Sequence, residues 1–208
     1  WTGHGPSPYQ PQELVVFAER GSLIDKLNGF RETDSWRGPT TRALVDSLEA
    51  AIAIAPNTFL RLLQTFTAAK RPFQYAIISG FKEIWSKSGQ QEQQLDWNVA
   101  WPELIRFFEQ LIGAPDFWTE EVLRDHNFTP NRDWIPPAIA SFLRSGTQDD
   151  EKAYSSDLLA KTWNLLVILL EHLDWRDEPP KSDSMTHAIN SSRGKVIEAL
   201  FSQALRAC

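Results

Sequence analysis

The 208-residue chain carries 27 acidic and 21 basic residues, a net charge of −6, which disfavours binding to a phosphate backbone as a whole-chain property. Its one cysteine is Cys208, so no intramolecular disulfide can form and a reducing, cytoplasmic setting is the simpler expectation. The longest apolar run, Leu165 to Leu170, falls far short of the ~20 residues of a membrane span, while the length suffices to bury roughly 70% of the unfolded surface without metal or disulfide.

The chain opens with Trp1 and has its only methionine at Met185, which leads us to expect a piece of a longer protein. Gly3, Gly5, Pro6, Pro8 and Pro11 make the start an extended segment. Leu14, Val15, Phe17 and Ala18 then recur at helical spacing, and Gly21-Ser22 restarts a second short helix through Leu23, Ile24, Leu27 and Phe30. A charged loop, residues 31–38, leads to Thr40-Thr41, a threonine cap for a helix carrying Leu44, Leu48, Ala51 and Ile52 on one face and ended by Pro56.

Asn57 reads as the cap of the next helix, with Phe59, Leu60, Leu62, Leu63 and Phe66 inside, and Pro72 restarts another through Phe73, Ile77, Ile78, Phe81, Ile84 and Trp85. Residues 86–96 are polar and glutamine-rich, the one candidate sub-boundary within what reads as a single helical domain, 1–208. Trp97 to Ile112 resumes the helical pattern, with Pro102 tolerable only in a first turn. Residues 114–132 are irregular, and Trp134 to Leu143 is a helix closed by Gly146. Leu158 to Leu173 is the most apolar helix, expected to be covered on more than one side and to form the centre of the core.

The closing stretch, His187 to Cys208, is amphipathic with one interruption. Counted at 100° per residue from Ile189, Val196 and Leu200 lie about 20° to either side, and Ala204 and Ile197 within about 80°. Arg193 falls near 40°, inside that stripe, whereas Lys195, Glu198, Ser202 and Arg206 occupy the opposite face. A guanidinium there must find acceptors. We expect a structural clamp in which Arg193, helped by Asn190 one turn earlier, binds helix C-terminal carbonyls or a carboxylate of the preceding pair.

No segment alternates with β-branched enrichment, so the expected class is all-α: about nine helices in antiparallel pairs, as an irregular HEAT-like solenoid or a helical bundle. Catalytic signatures do not emerge. The four histidines, His4, His126, His172 and His187, have no metal-ligand spacing, and neither GxxxxGK[ST] nor GxGxxG occurs, so no metal and no cofactor are expected. Paired acids such as Glu120-Glu121 and Asp149-Asp150 sit in polar turns as solvated charge. Nine tryptophans read mainly as inter-helix packing, with Trp97, Trp118 and Trp134 the choice for an interaction surface.

The order Gly5-Pro-Ser-Pro8, Trp36-Arg-Gly-Pro-Thr40 with Leu44 to Ala51, Pro56-Asn-Thr-Phe59, and finally His187 to Leu200 resembles a helical segment of very large bacterial multidomain proteins. Some of these are NTPase-linked and suspected of antiphage defence. Only the last motif is specific, and there Lys195-Val196 follows the glycine where the family would place a small or arginine residue and then alanine or leucine. The resemblance implies a HEAT-like or tetratricopeptide-like scaffold that senses or assembles, partnered by other domains of the same chain or by a separate protein, with no catalytic residues to carry over. The rival expectation is a helical enzyme domain with a site assembled around residues 97–134, including His126.

Overall fold

A computed structural model of the chain describes residues 5–32, 38–87, 95–122, 128–173 and 191–207. Among them the protein is all-α, with nine α-helices, three short 3-10 helices and no strand. The chain divides into two compact units, Trp1–Leu95 with Glu121–Ile135, and Asp96–Glu120 with Pro136–Cys208. A single continuous pattern of amphipathic helices gives no sign of this return of residues 121–135 to the first unit.

The first unit holds α1 (Pro11–Glu19), α2 (Leu23–Gly29), α3 (Thr41–Ile54), α4 (Pro56–Leu62) and α5 (Arg71–Lys87). Thr40 caps α3, its hydroxyl accepting from the Ala43 amide at 3.2 Å. The α4 start differs from expectation: Pro56 occupies the first helical position and Ala55 the cap, because proline needs no N–H acceptor there and its fixed φ already suits the helix. The chain turns by 109° at this joint. The helix expected through Phe66 becomes a 3-10 helix from Leu63 to Ala68. Thr65 and Thr67 hydroxyls donate to the carbonyls three residues back, and buried Gln74 satisfies the Phe66 and Thr67 carbonyls at 3.2 and 3.1 Å.

Helices α3 and α5 form the core of this unit, burying Leu44, Val45, Leu48 and Ile52 against Phe73, Ile77 and Phe81. They run in the same direction, with α4 making the return: Tyr75 lies by Arg42 and Asp46, Ser79 bonds Glu49, and Gly80 meets Ile52. A Cβ at Gly80 would approach Ile52 Cδ1 to 2.8 Å, so the two backbones come close only because that position is glycine. At the far edge Asn28 of α2 ties to the α5 start, donating to the Ala68 carbonyl at 2.8 Å and accepting from the Lys70 amide at 2.9 Å.

The second unit holds α6 (Trp97–Ile112), most of α7 (Ile135–Ser145), α8 (Leu159–His172) and α9 (Ser192–Ala207). Helix α6 is its centre, burying nine side chains along its length. Trp101 sits there fully buried, its ring 4.9 Å from Phe142, 5.3 Å from Tyr154 and 5.7 Å from Trp97, its indole N–H donating to the Lys152 carbonyl at 2.7 Å. A Cβ at Gly146 would fall 2.6 Å from this ring, so the glycine closing α7 is also what lets the turn pass over Trp101.

Two expectations are corrected here. Pro102 lies at the sixth residue of α6, not in its first turn. The helix tolerates it because the carbonyl thereby freed belongs to exposed Asn98, where water can satisfy it. Helix α8 is not the centre of the core: it buries Thr162, Leu165, Leu166 and Leu169 on one side and leaves Trp163 and Ile168 exposed. Its apolar run reflects a wide stripe that no neighbour among the described residues fully covers.

Candidate interaction surface

Helix α9 is held by polar contacts on three sides. At its start the Ser191 hydroxyl accepts from the Gly194 amide at 2.9 Å, a serine N-cap. Half-buried Arg193 donates to the carbonyls of Leu170 and Leu173 at 3.1 and 2.9 Å, two of the orphan acceptors at the C-terminal end of α8. Near the other end, buried Gln203 donates to the Leu159 carbonyl at 2.9 Å and to the Thr162 hydroxyl. Arg193 thus meets the end of α8 and Gln203 its beginning, so the two helices are antiparallel. On a third side Arg144 pairs with Glu198 at 2.7 Å and the Thr147 and Ser202 hydroxyls bond at 2.6 Å.

These contacts, with buried Val196 and Ala199, account for one half of α9. The other half is apolar and uncovered: Ile197, Phe201 and Leu205 recur every fourth residue along one stripe, with Phe201 68% and Leu205 79% exposed. The width of the apolar arc is a signal present in the sequence. It runs from Ala199 through Val196, Leu200, Ala204 and Ile197 to Phe201 and Leu205, wider than one packing partner can cover. Beside Leu205 opens a pocket of about 490 Å³ lined by Leu159, the Thr147 and Ser202 hydroxyls, and the Arg206–Asp150 ion pair at 3.1 Å.

The residues singled out from sequence are dispersed. Asn190 lies outside the described residues, as do His4, His126, His187 and Cys208, so the help expected from Asn190 has no structural description. Trp97 is buried, against Trp101 and edge-on to Phe142 at 6.3 Å, and presents no surface. A ring at the first position of α6 points inward because that position belongs to the buried stripe. Trp118 stacks on His172 at 4.2 Å and donates to the Ile112 carbonyl at 2.8 Å. Trp134 belongs to the other unit, edge-on to Tyr75 at 5.5 Å. Trp97 and Trp118 thus belong to the second unit and Trp134 to the first.

A polar cluster that sequence reasoning missed lies on the α3–α5 seam. Burial pushes the Glu49 carboxyl above the ordinary carboxylate range, against the pull of its hydrogen bond to Ser79. Tyr75 bonds the same hydroxyl and is also pushed up, by burial and then by the charge of Glu49. No group of three or more metal-ligating side chains occurs among the described residues. An acid held above its unfolded value keeps its proton more firmly in the native state, so its contribution to stability falls as pH rises from about 4.5 through the raised folded value. Glu49→Gln, which preserves the bond to Ser79, is therefore expected to be more stable than the parent at pH 7, with the difference closing below the ordinary carboxyl range. Urea melts from pH 3 to 8 measure this, and a destabilised variant at pH 7 would contradict it.

No protein-family model, curated protein or solved structure matches this chain. Among the described residues no single helix is long and apolar enough to cross a membrane.

Proposed function

We propose that this chain is a non-catalytic helical scaffold for protein–protein interaction or sensing within a larger intracellular bacterial protein. Its architecture is of the HEAT-like or tetratricopeptide-like kind that its opening and closing motifs resemble, and antiphage defence is the setting those motifs suggest. The observation carrying this reading is the exposed Ile197–Phe201–Leu205 stripe on a helix otherwise anchored by Arg193, Gln203, Glu198 and Ser202. Large apolar side chains held on a firmly seated helix are what a docking face consists of. The enzyme reading around residues 97–134 has less support, because Trp97 and Trp101 serve packing and the segment divides between the two units.

A photo-crosslinking amino acid placed at position 201 of the full-length protein, expressed in its own host, tests the reading. A discrete protein adduct is expected from position 201 and not from position 195, whose lysine is exposed on another face of α9. The same adducts from both positions, or none from either, would overturn it.

A further inference from the structure

From the stripe and the pocket together we infer that α9 docks a single amphipathic helix of a partner protein, one that carries a carboxylate beside its apolar anchors and delivers it to Arg206. The inference rests on α9 being a docking face and adds what docks there. The first argument is area. Ile197, Phe201 and Leu205 together expose on the order of 400 Å², taking ~200 Å² for each fully exposed large side chain. That is about half of the ~800 Å² each partner buries in a stable globular pair. It suits one helix laid along another, whose anchors at successive turns meet side chains spaced every fourth residue.

The second argument is charge. The stripe ends at Leu205, which also lines the pocket, and the next residue is Arg206. Its guanidinium is fixed, with the side chain 23% exposed and donating towards the Thr147 carbonyl at 3.5 Å. Its partner lies in water: the Asp150 side chain is 99% exposed, so the pair is solvated and gives little up when it breaks. A carboxylate arriving on a helix over Leu159 and Leu205 would meet the same cation with water displaced, where a charge-assisted hydrogen bond is stronger. Asp150 then acts as a resident competitor for the site.

The test uses a display library of 18-residue helix-forming peptides, randomised at positions spaced three and four apart, selected on the full chain. Enrichment of apolar residues at that spacing followed by Asp or Glu is expected. Phe201→Asp and Leu205→Asp, both at exposed positions that leave the melting curve in place, should weaken the selected peptide at least about tenfold. Arg206→Gln should weaken it about tenfold, and no further when the peptide's acid is replaced by its amide. Asp150→Asn should tighten it a few-fold, a gain that misfolding cannot imitate. Selected peptides without an acid, or an Asp150→Asn variant with unchanged affinity, would overturn the inference while leaving a crosslink from position 201 standing. Binding indifferent to Phe201→Asp would overturn it as well. So would a dimer in sedimentation that Phe201→Asp dissolves, since the occupant would then be a second copy.

Discussion

Replacing Trp101 with alanine is expected to lower stability by about 3–5 kcal/mol, the largest effect of any single truncation in the second unit. The ring is fully buried and touches Trp97, Phe142 and Tyr154, which approach it from α6 itself, from α7 and from the turn before α8. Its loss also leaves the Lys152 carbonyl without its donor. The surroundings cannot collapse easily, because Gly146 already brings the backbone against the ring and has no side chain to fill the space. Trp101→Phe should recover part of the packing and none of the hydrogen bond. Chemical denaturation followed by far-ultraviolet circular dichroism measures both, and an alanine variant within 1 kcal/mol of the parent would contradict this account of the core.

Arg193→Met is the second large effect, expected at about 1.5–3 kcal/mol, the range for hydrogen bonds from a charged donor. Methionine keeps an unbranched apolar stem but leaves the Leu170 and Leu173 carbonyls without the guanidinium. The figure is below that for a fully buried ion because Arg193 is half-buried and water can reach part of what it vacates. Hydrogen exchange should localise the change: amides of α9 lose protection while those of α6 keep theirs. Arg193→Lys should behave more like methionine than like arginine, since an ammonium lacks the planar fork that reaches two carbonyls at once. Equal protection in α9 of parent and Met variant would show that the contact fastens nothing.

What the sequence disclosed, it disclosed through local rules. The Thr40 cap, the wide stripe of α6 and the position of Arg193 among apolar neighbours depend on residues within a turn or two of each other. Elsewhere a second element decides. Nothing in Leu165 to Leu170 says how many sides of α8 have neighbours, and a tryptophan at the start of α6 looks the same whether it faces Trp101 or a partner. The Glu49–Ser79–Tyr75 cluster joins residues 30 positions apart through two parallel helices, a register that propensity does not encode. Phe201 and Leu205 are a different case. Their stripe was readable, but an apolar arc says only that something covers it, and the structure is needed to show that nothing among the described residues does.

The return of residues 121–135 to the first unit has a consequence for synthesis. The chain leaves that unit at Leu95, makes α6, and only then supplies Trp134 for the ring contact with Tyr75. A ribosome delivering the chain in order therefore cannot finish the first unit before it has emitted the central helix of the second, and that helix must wait for α7 and α8 with nine apolar side chains still wet. Neither unit can be released whole by one cut. The vulnerable moment in the life of this protein is the interval in which α6 is out and its covers are not, and a chaperone site would be sought first on Trp101, Leu104, Phe107 and Phe108.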